Sequence, residues 1–147
     1  MPQTILLASD HAAIELKAAL AEWLRGGGHE VRDLGPETAE RVDYPDYGYK
    51  LAAAVAADDA AVGIALCGSG IGISIAVNRH PACRCALVNE PVSAALAREH
   101  NDANVLAMGA RLVGIDMAKA CVSAFLATPF GGGRHGPRVG KLSNPPV

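Results

Sequence analysis

The chain opens on a short, largely apolar run, residues 4–8, that breaks into Ser9-Asp10-His11. A run of that length bounded by polar groups predicts a buried strand with polar groups at its carboxyl end. Over residues 12–25 the spacing changes: Ile14, Leu16, Ala19, Leu20, Trp23 and Leu24 recur at helical intervals, and Gly26-Gly27-Gly28 stops the helix. Residues 29–34 alternate and predict a second strand. A polar loop follows over 35–45, then an Ala-rich helix over 47–57. Residues 61–66 are apolar throughout, which places the third strand at the centre of a sheet. A short helix (71–79), a strand (84–88), a helix (91–100), a fifth strand (104–108) and a long helix (114–126) complete the pattern. The tail from residue 128 is rich in Gly and Pro. Its Pro137 fits a first helical turn, so a short helix is expected to start close to it. The closing Ser-Asn-Pro-Pro-Val is not helical.

Five strands alternating with helices predict an α/β protein. The architecture is a three-layer α/β/α sandwich, Rossmann-like, with a five-stranded parallel sheet. With 147 residues, no repeat and no break in composition, 1–147 reads as one domain with 128–147 as its tail. Sites in such folds form at the carboxyl ends of the strands. Asp10 and His11, Cys67 with its glycines, Asn89 and Glu90, and the stretch from Gly109 to Arg111 all fall there.

Composition narrows the classes. Half the residues are hydrophobic and only 4% are aromatic, so the core is built from Ala, Val, Leu and Ile. A net charge of −2 gives no polyanion surface, so no nucleic-acid partner is expected. No apolar run reaches the roughly 18–20 residues that span a bilayer. The amino terminus lacks a basic segment, and neither membrane nor secretory leader is expected. Four cysteines fit no dense disulfide framework and read as reduced thiols of a cytoplasmic protein. Cys83 and Cys85, taken to share one strand face, and Cys121 read as packing residues. His80 beside the first two offers no second ligand pair for zinc, so no metal is expected.

The chemistry concentrates in Cys67-Gly68-Ser69-Gly70-Ile71-Gly72. The third glycine falls one position early for the dinucleotide fingerprint, and the loop follows the third strand. The Gly-Lys-Ser/Thr of a P-loop is absent. What remains is a nest of backbone N–H groups able to hold an anion, a phosphate or a developing oxyanion. A positive field beside a cysteine favours its thiolate. From the residues alone, Cys67 reads equally as a buried residue ending a strand. Asp10 reads equally as a helix cap, His100 as a helix-end residue favoured by the dipole, and Tyr44 as a loop anchor. Arg134 and Arg138, four apart, read as a basic tail sharing one helical face.

These landmarks together resemble a known family. Ser9-Asp10-His11, Arg41-Val42-Asp43-Tyr44-Pro45, the run from Cys67 to Ser74, Asn78, Asn89-Glu90-Pro91, the run from His100 to Asn104, Gly109-Ala110-Arg111, Gly132-Gly133-Arg134-His135 and Arg138 occur in the order seen in the ribose-5-phosphate isomerase B family. The resemblance implies cofactor-free, metal-free interconversion of an aldose phosphate and a ketose phosphate. It implies a homodimer, with a tetramer as alternative, and sites at the subunit interface. Cys67 matches the family's base and His100 its ring-opening histidine. Ile73 stands where another branch carries a glutamate base, so this chain resembles the cysteine branch.

The parts then read as follows. Cys67 moves the proton between C1 and C2. The N–H groups of Gly68, Gly70, Ile71 and Gly72, with Ser69, hold the enediolate oxygen. Asp10 and Asn101 orient hydroxyls, and Tyr44 packs over the sugar. Arg111, Arg134 and Arg138, with His11, clamp the phosphate. Ribose 5-phosphate is the expected substrate. Galactose 6-phosphate, allose 6-phosphate, a tetrose phosphate, or binding without turnover are the alternatives.

Overall fold

The computed structural model describes residues 2–147. The elements in chain order are β1 (Thr4–Ser9), a 3-10 turn (His11–Ala13), α1 (Ile14–Gly26), β2 (Glu30–Asp33), α2 (Tyr44–Ala56), β3 (Ala61–Cys67) and α3 (Ile71–Val77). They continue with β4 (Cys85–Leu87), α4 (Pro91–Asn101), β5 (Val105–Gly109), α5 (Ile115–Ala127) and α6 (His135–Ser143). The five strands form one parallel sheet in the order β2-β1-β3-β5-β4. The fully apolar third strand is the central one, as its pattern predicts.

The period-two alternation of the strands divides the core into two layers. Ile5, Leu7, Ile64, Leu66, Leu106 and Met108 pack against α1, α4 and α5 on one face. Leu6, Ala8, Ala65, Cys67, Val105 and Ala107 pack against α2 and α3 on the other. Cys67 thus leaves the sheet on the α3 side. α6 buries none of its residues. It starts at His135, two residues before Pro137, and the chain after Ser143 is not helical. No helix of the described residues is long and apolar enough to cross a membrane.

Two local readings are corrected. The loop over 35–45 ends earlier than its polarity suggests, because α2 begins at Tyr44 with Pro45 in its first turn. Proline suits that position: its fixed φ matches the helix, and its missing N–H would have had no helical partner. Cys83 lies before β4 rather than on it, so it does not share a strand face with Cys85. It donates instead to the Ala52 carbonyl at 3.4 Å. Burial raises the Cys83, Cys85 and Cys121 thiols above their ordinary range, as suits packing residues.

The edges of α4 and β4 are held by side chains. Glu90 caps α4, accepting from the amides of Val92 and Ser93 at 2.6 and 2.9 Å. The amide of Asn78 donates to the Cys85 carbonyl at 2.9 Å and accepts from the Cys85 N–H at 2.7 Å. It takes the two backbone groups that an exposed edge strand would otherwise offer to another chain.

One charged residue sits on the apolar stripe of α1. Lys17 is 2% exposed. Its Nζ donates to Asp33 Oδ1 and to the Pro36 carbonyl, both at 2.6 Å, and Asp33 Oδ1 also accepts from the Gly35 N–H at 2.8 Å. The buried ammonium fastens α1 to the start of the loop over 34–43. Removing one partner of such a pair leaves the others unsatisfied. Asp33, a third exposed, can turn to water, but the buried Pro36 carbonyl loses its donor, so Lys17→Ala is expected to lower stability by about 1–3 kcal/mol, read as a lower urea midpoint with an unchanged slope; an unchanged midpoint contradicts this role.

Candidate active site

At the carboxyl edge of the sheet, Cys67 ends β3 and the chain turns through Gly68-Ser69-Gly70 into α3. Gly70 has φ +76°, and a Cβ there would lie 2.6 Å from the Met108 carbonyl carbon. Both the left-handed backbone and the close approach to β5 require glycine. The turn points the Gly70 N–H at Cys67 Sγ, 3.1 Å away. Ser69 Oγ accepts from the Ile71 N–H at 3.2 Å. The amides of Gly70 and Ile71, read from the sequence with those of Gly68 and Gly72 as oxyanion donors, thus also have partners inside the loop. Gly72, in the first turn of α3, has an N–H without a helical acceptor. Ile73, where another branch has its acid, is fully buried in the core.

The residues around this loop come from three other strand ends. Asp10 Oδ1 accepts from the Ala12 N–H at 3.0 Å, so the carboxylate does cap the 3-10 turn. Its residue is 8% exposed. His11 Nδ1 lies 3.2 Å from both the amide nitrogen and the carbonyl oxygen of Val42. One tautomer accepts from the amide and the other donates to the carbonyl. Either way the ring is pinned to the loop that Lys17 anchors. Tyr44 lies over Gly72, where a Cβ would come within 2.4 Å of its ring. Arg111, just after β5, lays its guanidinium over Gly68, 3.0 Å from the position of a Cβ.

The remaining sequence-selected residues lie elsewhere. A helix following a parallel strand runs back toward the sheet's amino edge, and eleven residues of α4 span about 16 Å. His100 and Asn101 are at its far end. The Gly63 N–H donates to the Asn104 carbonyl at 2.8 Å. The end of α4 is therefore level with the start of β3, four residues or about 13 Å of strand from Cys67. Asp102 closes the helix in the left-handed region, φ +47°. Its carboxylate pairs with Arg98 at 3.0 Å and Arg84 at 3.5 Å.

The tail returns to this same end. The Gly131 N–H donates to the Glu99 carbonyl at 2.9 Å. His135 stacks on His100, with ring centroids 4.5 Å apart and planes 17° from parallel. Arg134 and Arg138 flank that pair in sequence. The candidate residues thus fall into two groups. Asp10, His11, Tyr44, Cys67, the glycine loop and Arg111 are at the carboxyl edge. His100, Asn101, Arg134, His135 and Arg138 are at the amino edge. The sequence reading assigned His135 no role; its signal was present only as a motif histidine whose neighbour lies 35 positions earlier.

Comparison with known proteins finds relatives over nearly the whole chain. The family model described as Ribose/Galactose Isomerase matches residues 5–142. The chain is 45% identical over 135 residues to ribose-5-phosphate isomerase B of Escherichia coli, covering 92% of this chain and 91% of that one. It is 39% identical over 140 residues to the D-erythrulose-4-phosphate isomerase of Pectobacterium atrosepticum, covering 95% and 92%. The solved structure of Clostridium thermocellum ribose-5-phosphate isomerase B superposes with a TM-score of 0.94 at 46% identity, over 96% of this chain and 95% of that one. Fold, residues and relatives define an isomerase domain of the α/β/α class. The chain belongs to the ribose/galactose isomerase family.

Gly70→Ala combines left-handed strain with overpacking against β5 and is expected to cost about 2–4 kcal/mol. Urea denaturation measures it; a stability equal to that of the parent chain contradicts the close approach.

Proposed function

We propose that the chain interconverts D-ribose 5-phosphate and D-ribulose 5-phosphate through an enediolate, at sites built from two copies of the chain. The observation that carries this is Cys67 Sγ at the mouth of a glycine loop whose Gly68 lies under the Arg111 guanidinium, with Asp10 held next to that strand end by its hydrogen bond to the Leu66 carbonyl, in a chain of this family. Aldose–ketose isomerisation takes a proton from one carbon and returns it to the next. It needs one base reaching both carbons, donors for the charged oxygen, and a phosphate holder.

Cys67 as thiolate takes the proton from C2 of the open aldose and returns it to C1. The N–H groups of Gly68 and Gly72, with the Ser69 hydroxyl, donate to the enediolate oxygen. Asp10 uses Oδ1 for its cap, and Oδ2 accepts from sugar hydroxyls. Asn101 contributes both donor and acceptor. His100 passes a proton to the ring oxygen to open the sugar. Arg111, Arg134 and Arg138, with His11, hold the phosphate, where planar guanidinium forks match its oxygens.

His100, Asn101, Arg134 and Arg138 meet Cys67 only when a second copy brings its amino-edge half-site to the first copy's carboxyl-edge half-site. A two-fold axis then makes two identical composite sites. An apolar face suited to this lies beside the loop. Tyr44, Tyr49, Ile71 and Ile75 are all between 42% and 58% exposed. Tyr44, Tyr49 and Ile75 line one cleft with Gly72 and Arg79. A contiguous exposed patch of this kind marks an interaction surface. The same parts serve a four- or six-carbon sugar phosphate if the clamp sits nearer to or farther from Cys67. The Pectobacterium relative named for a four-carbon ketose phosphate favours keeping that second reading.

The test is turnover of four-, five- and six-carbon sugar phosphates in the presence of EDTA, with the Cys67→Ala variant alongside. Ribose 5-phosphate is expected to convert fastest. The variant is expected to lose at least about 100-fold in kcat while binding sugar phosphate like the parent chain. Conversion of only a four- or six-carbon sugar replaces the substrate and keeps the mechanism. Undiminished turnover by Cys67→Ala contradicts the thiolate base.

A further inference from the structure

We propose that His135 is the second proton-transfer group of ring opening, acting as a pair with His100. The proposal rests on the isomerase reading above and adds a residue to it. It starts from the stacked rings, 4.5 Å between centroids and 17° between planes, contributed by the last turn of α4 and the first residue of α6. Nothing in the sequence makes these residues neighbours. The Gly131–Glu99 hydrogen bond and three consecutive glycines bring the tail back over the end of α4.

Opening an aldofuranose phosphate takes two proton movements at one carbon. A proton arrives on the ring oxygen O4 and the C1–O4 bond breaks. The C1 hydroxyl gives up its proton, and its C–O bond becomes the aldehyde carbonyl. The sugar neither gains nor loses a proton overall, so one group must give while another takes. Both oxygens start on C1, side by side. Two parallel imidazoles present two ring edges side by side and match that demand, whereas a single ring edge serves one oxygen at a time. In the pair, His100 gives its proton to O4 and His135 takes the one from the C1 hydroxyl. After closure of the cycle through solvent, the pair holds the same number of protons as before.

The charges around the rings divide these roles. Partial burial, then the positive charges of His100, Arg134 and Arg138, hold His135 below the usual imidazole range, against the opposing pull of Glu99. These are the charged groups facing it from α4 and from α6 with its preceding turn. His135 is thus kept neutral at neutral pH, the state that accepts a proton.

The test separates ring opening from proton transfer at carbon. Ribose 5-phosphate is supplied mainly as a ring. Ribulose 5-phosphate is open, because its O5 carries the phosphate, and exchange of its C1 hydrogen with solvent deuterium runs through the enediolate without any ring. His135→Phe keeps a flat ring for stacking and removes both nitrogens; His135→Ala removes both features. The expected result is conversion of ribose 5-phosphate slowed by about 100-fold in both variants, with deuterium exchange into ribulose 5-phosphate within a few-fold of the parent and inorganic phosphate inhibiting both alike. Equal losses in conversion and exchange, or a Phe variant with the parent's conversion rate, overturn the proposal: the first assigns His135 to packing alone and the second makes the stack sufficient. A parent enzyme that turns over neither sugar refutes the isomerase reading instead, so the two failures are told apart.

Discussion

A helix that follows a parallel strand must run back to the edge from which the strand came. That direction decides the arrangement of this protein. β3 delivers Cys67 to the carboxyl edge of the sheet, and α4 carries His100 away to the amino edge. No side-chain rotation removes a separation set by a strand and a helix. The candidate residues therefore lie in two halves, one at each edge of the sheet, and the tail gathers at the second half rather than the first.

Each half is made rigid by a different means. Around Cys67 the backbone does the work: Gly70 and Gly72 admit β5 and the Tyr44 ring so closely that a single methyl would collide. The loop that pins His11 at Val42 is fixed at its start by a buried lysine of α1, which holds Asp33 and the Pro36 carbonyl. At the amino edge the means are electrostatic. Asp102, in a backbone conformation that costs energy, is gripped by Arg84 and Arg98 and fixes the end of the helix carrying His100 and Asn101. Arg84 also reaches Ser143 at the end of α6, at the limit of hydrogen-bond distance.

The layers, the five strands and the central position of β3 were legible because apolar runs and helical spacing report burial directly. Element ends were less legible where a residue plays two parts. Pro45 reads as a loop residue and starts a helix; Cys83 reads as a strand residue and sits in the turn before one. Lys17 was invisible to hydrophobic patterning because its burial depends on Asp33 and Pro36, which lie in another element. Of the site, Asp10, Cys67 and the glycine loop were readable from their places at strand ends. The cap made by Asp10 was one of its two readings, whereas the loop contacts of the Gly70 and Ile71 amides and the pairing of His135 with His100 depend on three-dimensional proximity. The roles of His100, Arg134 and Arg138 rested on family resemblance, since their positions match no local rule for a site at the carboxyl edge.

The claim at the centre of this account is that one working site takes residues from two chains. In the proposed homodimer, Cys67→Ala and His100→Asn would each disable every site when paired with an identical chain. In a mixed dimer one site carries both changes and the other carries neither. Turnover of ribose 5-phosphate after the two inactive variants are co-refolded tests this directly. Random pairing makes half the dimers mixed, so recovery of about a quarter of the parent activity is expected. Mixed dimers verified by mass and still inactive would contradict a shared site and return all of its residues to a single chain.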